Sequence, residues 1–187
     1  MPNFIMICGP QAVGKMTVGQ ELVKLSGYKL FYNHMTIELV RLIFDYDNEI
    51  FWKMNTSIRN IIFEEFAKSN EKGIIFTGCF DFGNELENDL AEFERWVGPF
   101  KDVYVVELEA DLEERLKRNK TENRLEHKPS KRDMEMSEKR LLSAEQKHKL
   151  NSDEGQGEKL FKNYMKINNT NISAEDVAVM IKNKFNL

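Results

Sequence analysis

Between an apolar run at residues 4–8 and a helical pattern at 15–25, the chain reads Gly9-Pro10-Gln11-Ala12-Val13-Gly14-Lys15-Met16-Thr17. Two glycines with four residues between them, and a lysine directly after the second, fit the pattern G-x-x-x-x-G-K. In such a loop the backbone N–H groups turn inward as an anion nest. The following helix adds the positive end of its dipole, and the lysine reaches phosphate oxygens. The pattern carries weight only where a strand precedes it and a helix follows, and both patterns are present here. Gly9, Gln11, Ala12, Val13, Gly14, Lys15, Met16 and Thr17 are therefore the expected phosphate-contacting residues. An ordinary strand–helix turn with a solvated lysine is the bland alternative. One letter departs from the pattern. The position after the lysine normally carries the Ser or Thr hydroxyl that ligates Mg²⁺, and here it is Met16, whose thioether is a poor ligand for a hard cation.

The rest of the chain alternates strand and helix patterns. Strands are predicted at 4–8, 29–32, 74–77, 103–108 and 164–167. Helices are predicted at 15–25, 36–44, 50–68, 84–96, 111–120, 134–150 and 173–185. Asn84 with Glu87, and Ser173 with Asp176, have capping-box spacing. Residues 121–132 lack apolar periodicity and contain Pro129, so they read as a mobile loop, and 152–157 reads as a weakly ordered one. The alternation predicts an α/β fold with a parallel sheet. A length of 187 residues predicts one domain. No apolar run reaches membrane-span length. The net charge of −4 argues against a dedicated nucleic-acid binder. Cys8 and Cys79 are too few for a secreted disulfide framework, and no basic leader opens the chain, so a cytoplasmic location is expected.

The loop at 9–17, the five-strand pattern and the turn Ile167-Asn168-Asn169-Thr170-Asn171 resemble the P-loop kinases of the shikimate kinase and nucleoside monophosphate kinase group. The resemblance implies a three-layer P-loop NTPase fold with a five-stranded parallel sheet in the order 2-3-1-4-5. It also implies an acceptor-binding helical region at 33–70, a helical lid at 117–140, and transfer of the ATP γ-phosphate to a small hydroxyl- or phosphate-bearing acceptor with Mg²⁺. Lys15 would hold the phosphates, Arg118 and Arg124 would close from the lid, and Asn169 would contact the adenine. Residues 117–140 hold nine Lys/Arg and five Asp/Glu, an excess of +4 in a chain of −4. A solvated basic helix end explains most of these charges equally well.

The acceptor side departs from the group. Aspartates are expected after strand two, and the chain has Asn33, His34 and Met35 there. His34 is a candidate proton acceptor or a structural histidine. Arg59 is a candidate for holding an anionic acceptor or a solvated helix arginine. Asn33 and Gly78 are candidate acceptor contacts. Asp81 is a candidate catalytic and metal carboxylate, or a plain loop aspartate. Thr17 is a candidate metal ligand, although one helical step rotates a side chain by about 100°. Magnesium would be held by Thr17, or mostly by phosphate oxygens, water and one distant carboxylate, or the site would bind nucleotide without turning it over. The retained Lys15 favours the second arrangement. Two other functions fit the same residues: a nucleotide-binding regulatory module with little transfer activity, and a nucleic-acid kinase that uses the basic lid. Monomer and homodimer are both compatible with the sequence.

Overall fold

The first strand, β1 (Asn3–Cys8), alternates Phe4, Met6 and Cys8 on one face with Ile5 and Ile7 on the other, and none is more than 1% exposed. A strand covered on both faces needs no polar residue in its alternation, which is why this run is continuously apolar. A computed structural model describes residues 1–187. The other strands are β2 (Lys29–Tyr32), β3 (Gly73–Thr77), β4 (Val103–Glu109) and β5 (Tyr164–Asn168). All pairs are parallel and the order is β2-β3-β1-β4-β5, as expected.

The helices are α1 (Lys15–Ser26), α2 (His34–Arg41), α3 (Glu49–Ala67), α4 (Leu86–Val97), α5 (Leu112–Arg118), α6 (Glu122–His127), α7 (Met134–Lys147), α8 (Gln156–Leu160) and α9 (Ala174–Phe185). Val18 and Leu22 of α1 and Val177 and Ile181 of α9 cover the Ile5/Ile7 face. Phe63 of α3 and Phe93 and Trp96 of α4 cover the Phe4/Met6 face. The second layer is unusually aromatic. Phe4 meets Phe63 and Phe100 edge-on, at centroid distances of 5.3 and 5.0 Å. Edge-to-face pairs of this kind add about 1 kcal/mol each beyond the area they bury. Ile7 pairs with Thr77 and Cys8 with Glu107, so β1, β3 and β4 end along one edge. In open parallel sheets that carboxyl edge is where ligands bind.

Four sequence expectations change. Residues 121–132 are not a structureless loop: they form α6 and a 3₁₀ turn at Pro129–Lys131. They carry no apolar stripe because they are fastened by polar contacts, Asn123 to Thr17 and Gln20 and Ser130 to Glu38. Pro129 suits the first position of a turn, where no N–H is needed. Of residues 152–157, expected as a loop, the last two belong to α8 (Gln156–Leu160). The cap expected at Asn84 is absent, because α4 starts at Leu86 behind Glu85 and has no side-chain cap. Helix α7 ends at Lys147, short of residue 150, because His148 and the Lys149 N–H leave the helix to meet Asp81. The cap at Ser173 is present, its Oγ accepting from the Asp176 N–H at 3.0 Å.

Candidate active site

The loop after β1 turns by left-handed backbone at Gly9, Ala12 and Gly14, with φ of 129°, 61° and 109°. A Cβ at Gly9 would lie 2.3 Å from the Leu108 carbonyl oxygen of β4, so a side chain has neither the conformation nor the space. Helix α1 begins at Lys15, and its unpaired N–H groups face the loop. The Lys15 Nζ folds over the loop, donating to the Gly9 and Pro10 carbonyls at 2.5 and 2.7 Å and lying 3.5 Å from the Cys79 Sγ. Burial pulls its pKa down, partly countered by that thiol.

The loop is braced from behind. The Asn169 amide donates to the Val13 carbonyl at 2.9 Å. The Arg118 guanidinium donates to the same carbonyl at 2.9 Å and to the carbonyls of Asn169 and Thr170 at 2.8 and 3.1 Å. Its Nε donates to Glu114. Both residues line the cleft, but much of their hydrogen-bonding capacity goes to holding the loop. The side-chain oxygens of Gln11 and Asn169 are buried without a partner. A cradle of inward N–H groups flanked by unsatisfied acceptors fits a nucleotide: the N–H groups suit phosphate, and the acceptors suit amino or hydroxyl groups.

In front of the loop lies a cleft of about 840 Å³. It brings together Lys15, Met16, Thr17, Asn33, His34, Cys79, Arg118, Arg124 and Asn169. Seven cationic side chains line it: Lys15, Arg118, Arg124, Lys128, Lys131, Arg140 and Lys147. No aspartate or glutamate does. Lys128 and Lys131 are buried, each 8% exposed. Burial pushes Lys128 well below its ordinary pKa, and Arg124 and Lys15 push it further. Lys131 is pushed down to about 8 by burial and by Arg124 and Arg140. The sequence marked these lysines only through the charge excess of the lid.

Helix α2 begins at the end of β2 and carries His34 into the cleft wall. The His34 Nδ1 lies 2.8 Å from the Glu38 Oε1, one turn on. Burial lowers the His34 pKa, and Lys128 and Lys131 add to that against the opposing bond to Glu38. The ring is therefore neutral at pH 7. Burial raises the Glu38 pKa, but bonds from His34 and Ser130 outweigh it and hold the group ionised. An ionised carboxylate only accepts, so Nδ1 carries the proton and Nε2 the free lone pair. Ser130 closes the set, its N–H donating to Glu38 at 3.1 Å and its hydroxyl to the other oxygen. Glu38 and Ser130 gave no signal in the sequence beyond their residue type.

Four predicted residues lie outside the cleft lining: Gly9, which shapes the loop from its β4 side, and Arg59, Gly78 and Asp81. Arg59 is buried, with Nε donating to the Thr36 hydroxyl and a terminal nitrogen to the Asn33 carbonyl, both at 3.1 Å. It is neither a solvated arginine nor a free anion hook; it fixes the entry to α2. Gly78 is buried against Met6, whose Cε a Cβ would approach to 2.7 Å. Asp81 accepts from the N–H groups of Gly83 and Lys149 and from the His148 ring. Burial raises its pKa, but those donors outweigh it and hold it below the usual range. Its oxygens are spent on joining the β3 loop to the end of α7. Arg115, a further lid arginine in the sequence, is 2% exposed and pairs with Glu145 at 2.6 Å.

A resident magnesium ion does not fit this donor set. The side chain after Lys15 is the buried thioether of Met16. The Thr17 hydroxyl accepts from the Asn123 amide at 3.2 Å. Glu107, buried on β4, is taken by Tyr164, Asn151, Ser152 and Lys166. No group of three or more His, Cys, Asp or Glu side chains in the chain is arranged to hold a metal ion. Mg²⁺ needs hard oxygen ligands, and the protein supplies no carboxylate here.

No protein-family model matches the chain, and no curated protein matches it. Solved structures do match. Shikimate kinase from Acinetobacter baumannii, in complex with shikimate, is 19% identical with a TM-score of 0.57, over 97% of this chain and 90% of that one. A gluconokinase from Sinorhizobium meliloti is 14% identical with a TM-score of 0.57, over 99% of this chain and 92% of that one. A sugar kinase from Janibacter is 12% identical with a TM-score of 0.61, over 100% of this chain and 95% of that one. At such identities the likeness is one of fold: the chain has the shikimate kinase-like P-loop fold.

Proposed function

We propose that this chain is an ATP-dependent phosphotransferase that moves the γ-phosphate to a small hydroxyl-bearing acceptor. The observation that carries the reading is the phosphate loop, with Lys15 folded over it, opening onto a cleft lined by seven cationic side chains and no acid. Bound ATP supplies the phosphoryl group. The loop N–H groups and Lys15 bind and orient the phosphates, and Arg118 holds the loop in shape from behind. Arg124 reaches in from the lid at 117–140 and meets charge that develops on the transferred group. His34, kept neutral and pointed by Glu38, takes the acceptor's hydroxyl proton on Nε2. Residues 33–70 supply the acceptor side, with Tyr46 and Trp52 in the cleft wall. Phosphoryl transfer through a loose transition state depends more on positioning than on base strength, so a weakly basic imidazole suffices.

The missing aspartates also favour a second reading, a nucleotide-binding regulator with little turnover. ATP consumption across a panel of small hydroxyl compounds separates the two. Acceptor-dependent consumption supports the transferase, and tight binding with no consumption supports the regulator. Lys15→Ala should weaken ATP binding about 100-fold, the scale expected for truncating one partner of a buried charge pair. Unchanged affinity in calorimetry overturns both readings.

A further inference from the structure

The positive charge around the phosphate loop exceeds what gripping a nucleotide requires, and its distribution is unusual. Lys128 and Lys131 are more than nine-tenths buried, and Arg124 carries a buried Nε with no partner. All three line the cleft. No hydrogen bond supports the charge of any of them; the influences on each are burial and neighbouring charges alone. Most of those neighbours are cations. Arg124 and Lys15 face Lys128, while Arg124 and Arg140 face Lys131. Only Glu38, itself held by His34 and Ser130, and the Cys79 thiol oppose them. Unpaired ammonium and guanidinium groups packed together out of water are costly: such groups either give up protons or are paired with an anion.

The same cleft lacks what a divalent cation needs. Its lining has no carboxylate, Met16 stands where a hydroxyl is expected, and the Thr17 hydroxyl is bonded to Asn123. In P-loop kinases the metal bridges and neutralises the outer phosphates. Here fixed cations occupy the space in front of the loop instead.

We infer that this site binds a nucleoside triphosphate as the metal-free polyanion, with Arg124, Lys128 and Lys131 carrying the charge neutralisation that a magnesium ion would otherwise supply. The inference rests on the nucleotide-binding reading above and can fail without it. One segment, residues 121–132, supplies all three side chains and is itself fastened to α1 and α2 by Asn123 and Ser130. The polyanion removes the repulsion that the three cations impose on one another in the empty cleft.

The test is calorimetric titration of the full chain with ATP, once in excess Mg²⁺ and once in EDTA. The expected result is equal or tighter binding in EDTA. Lys131→Met and Lys128→Met should each weaken binding in EDTA at least about tenfold, as loss of one partner of a buried charge pair does. Both variants should melt no lower than the parent without ligand, because each removes an unpaired buried charge. A merely structural lysine would instead lower the melting temperature. Binding in Mg²⁺ that weakens tenfold or more in EDTA overturns the inference and leaves the nucleotide site standing. No binding in either buffer overturns both. Inorganic tripolyphosphate in EDTA is the companion probe. Its binding, lost in the Lys131→Met variant, places the contact on the phosphates, and tripolyphosphate affinity unchanged by both lysine variants overturns the assignment.

Discussion

Gly9 shows how much of a ligand site can rest on one missing side chain. Its φ of 129° and the Leu108 carbonyl 2.3 Å from a hypothetical Cβ rule out any larger residue without moving β4 or the loop. Gly9→Ala should therefore destabilise the chain by about 2–4 kcal/mol through backbone strain and a steric clash, read from urea denaturation. A loss under about 0.5 kcal/mol, the scale of a surface substitution, would show that the loop accommodates a side chain. Met16 has a different weight. Its thioether is buried and offers no hard oxygen where the loop pattern expects a hydroxyl. Arg59 and Asp81 carry the charges expected of site residues, but their hydrogen bonds are spent inside the chain.

At the scale of elements, the lid is tied to the body by two polar clasps. Asn123 of α6 bonds Thr17 and Gln20 of α1, and Ser130 bonds Glu38 of α2. The second clasp also orients His34, so the position of residues 121–132 and the His34 ring are coupled through one carboxylate. Glu38→Gln keeps the shape, but its NH₂ meets an N–H donor in either orientation, the His34 Nδ1–H at one oxygen position or the Ser130 backbone N–H at the other. It should lower the transfer rate about tenfold or more, toward the usual range for a misaligned acid–base group, with ATP affinity nearly unchanged. Equal rates for parent and variant would show that His34 acts without Glu38 or not at all. Amide exchange at 121–132 should rise in the same variant, since a clasp is lost.

For the molecule as a whole, charge is divided unevenly: −4 overall, yet seven cations and no acid around one cleft. Such a cleft attracts anions against the sign of the net charge. Its pH response follows from Lys131, held at about 8, with Arg124, Lys128, Arg140, Glu38 and Cys79 as the charged and titratable groups facing it. Above that pH the free site loses a cation, so ATP affinity should fall by up to about tenfold per pH unit as pH rises through about 8. The Lys131→Met variant should show no such step. Stability moves the opposite way. Between about 8 and the ordinary 10.5 the unfolded chain holds a proton that the folded chain has released, so the unliganded protein gains stability as pH rises across that window.

Much of this was legible in order along the chain. Local patterns specify β1, the glycine turn, α1 and the alternation that produces a parallel sheet, because backbone sterics and periodic burial act over a few residues. The phosphate loop belongs to that class. The lid was legible only as a charge excess, since its order comes from Asn123 and Ser130 meeting side chains 106 and 92 positions away. Long-range packing alone separates Arg124, Lys128 and Lys131, which enter the cleft, from Arg115, which pairs with Glu145. Charge and residue type are properties of the chain, whereas burial and partnership arise only when distant segments are brought together. For that reason the sequence points to a phosphate-loop pattern, and only the folded molecule shows that no acid lines the cleft in front of it, with Asp81 and Glu107 bonded elsewhere.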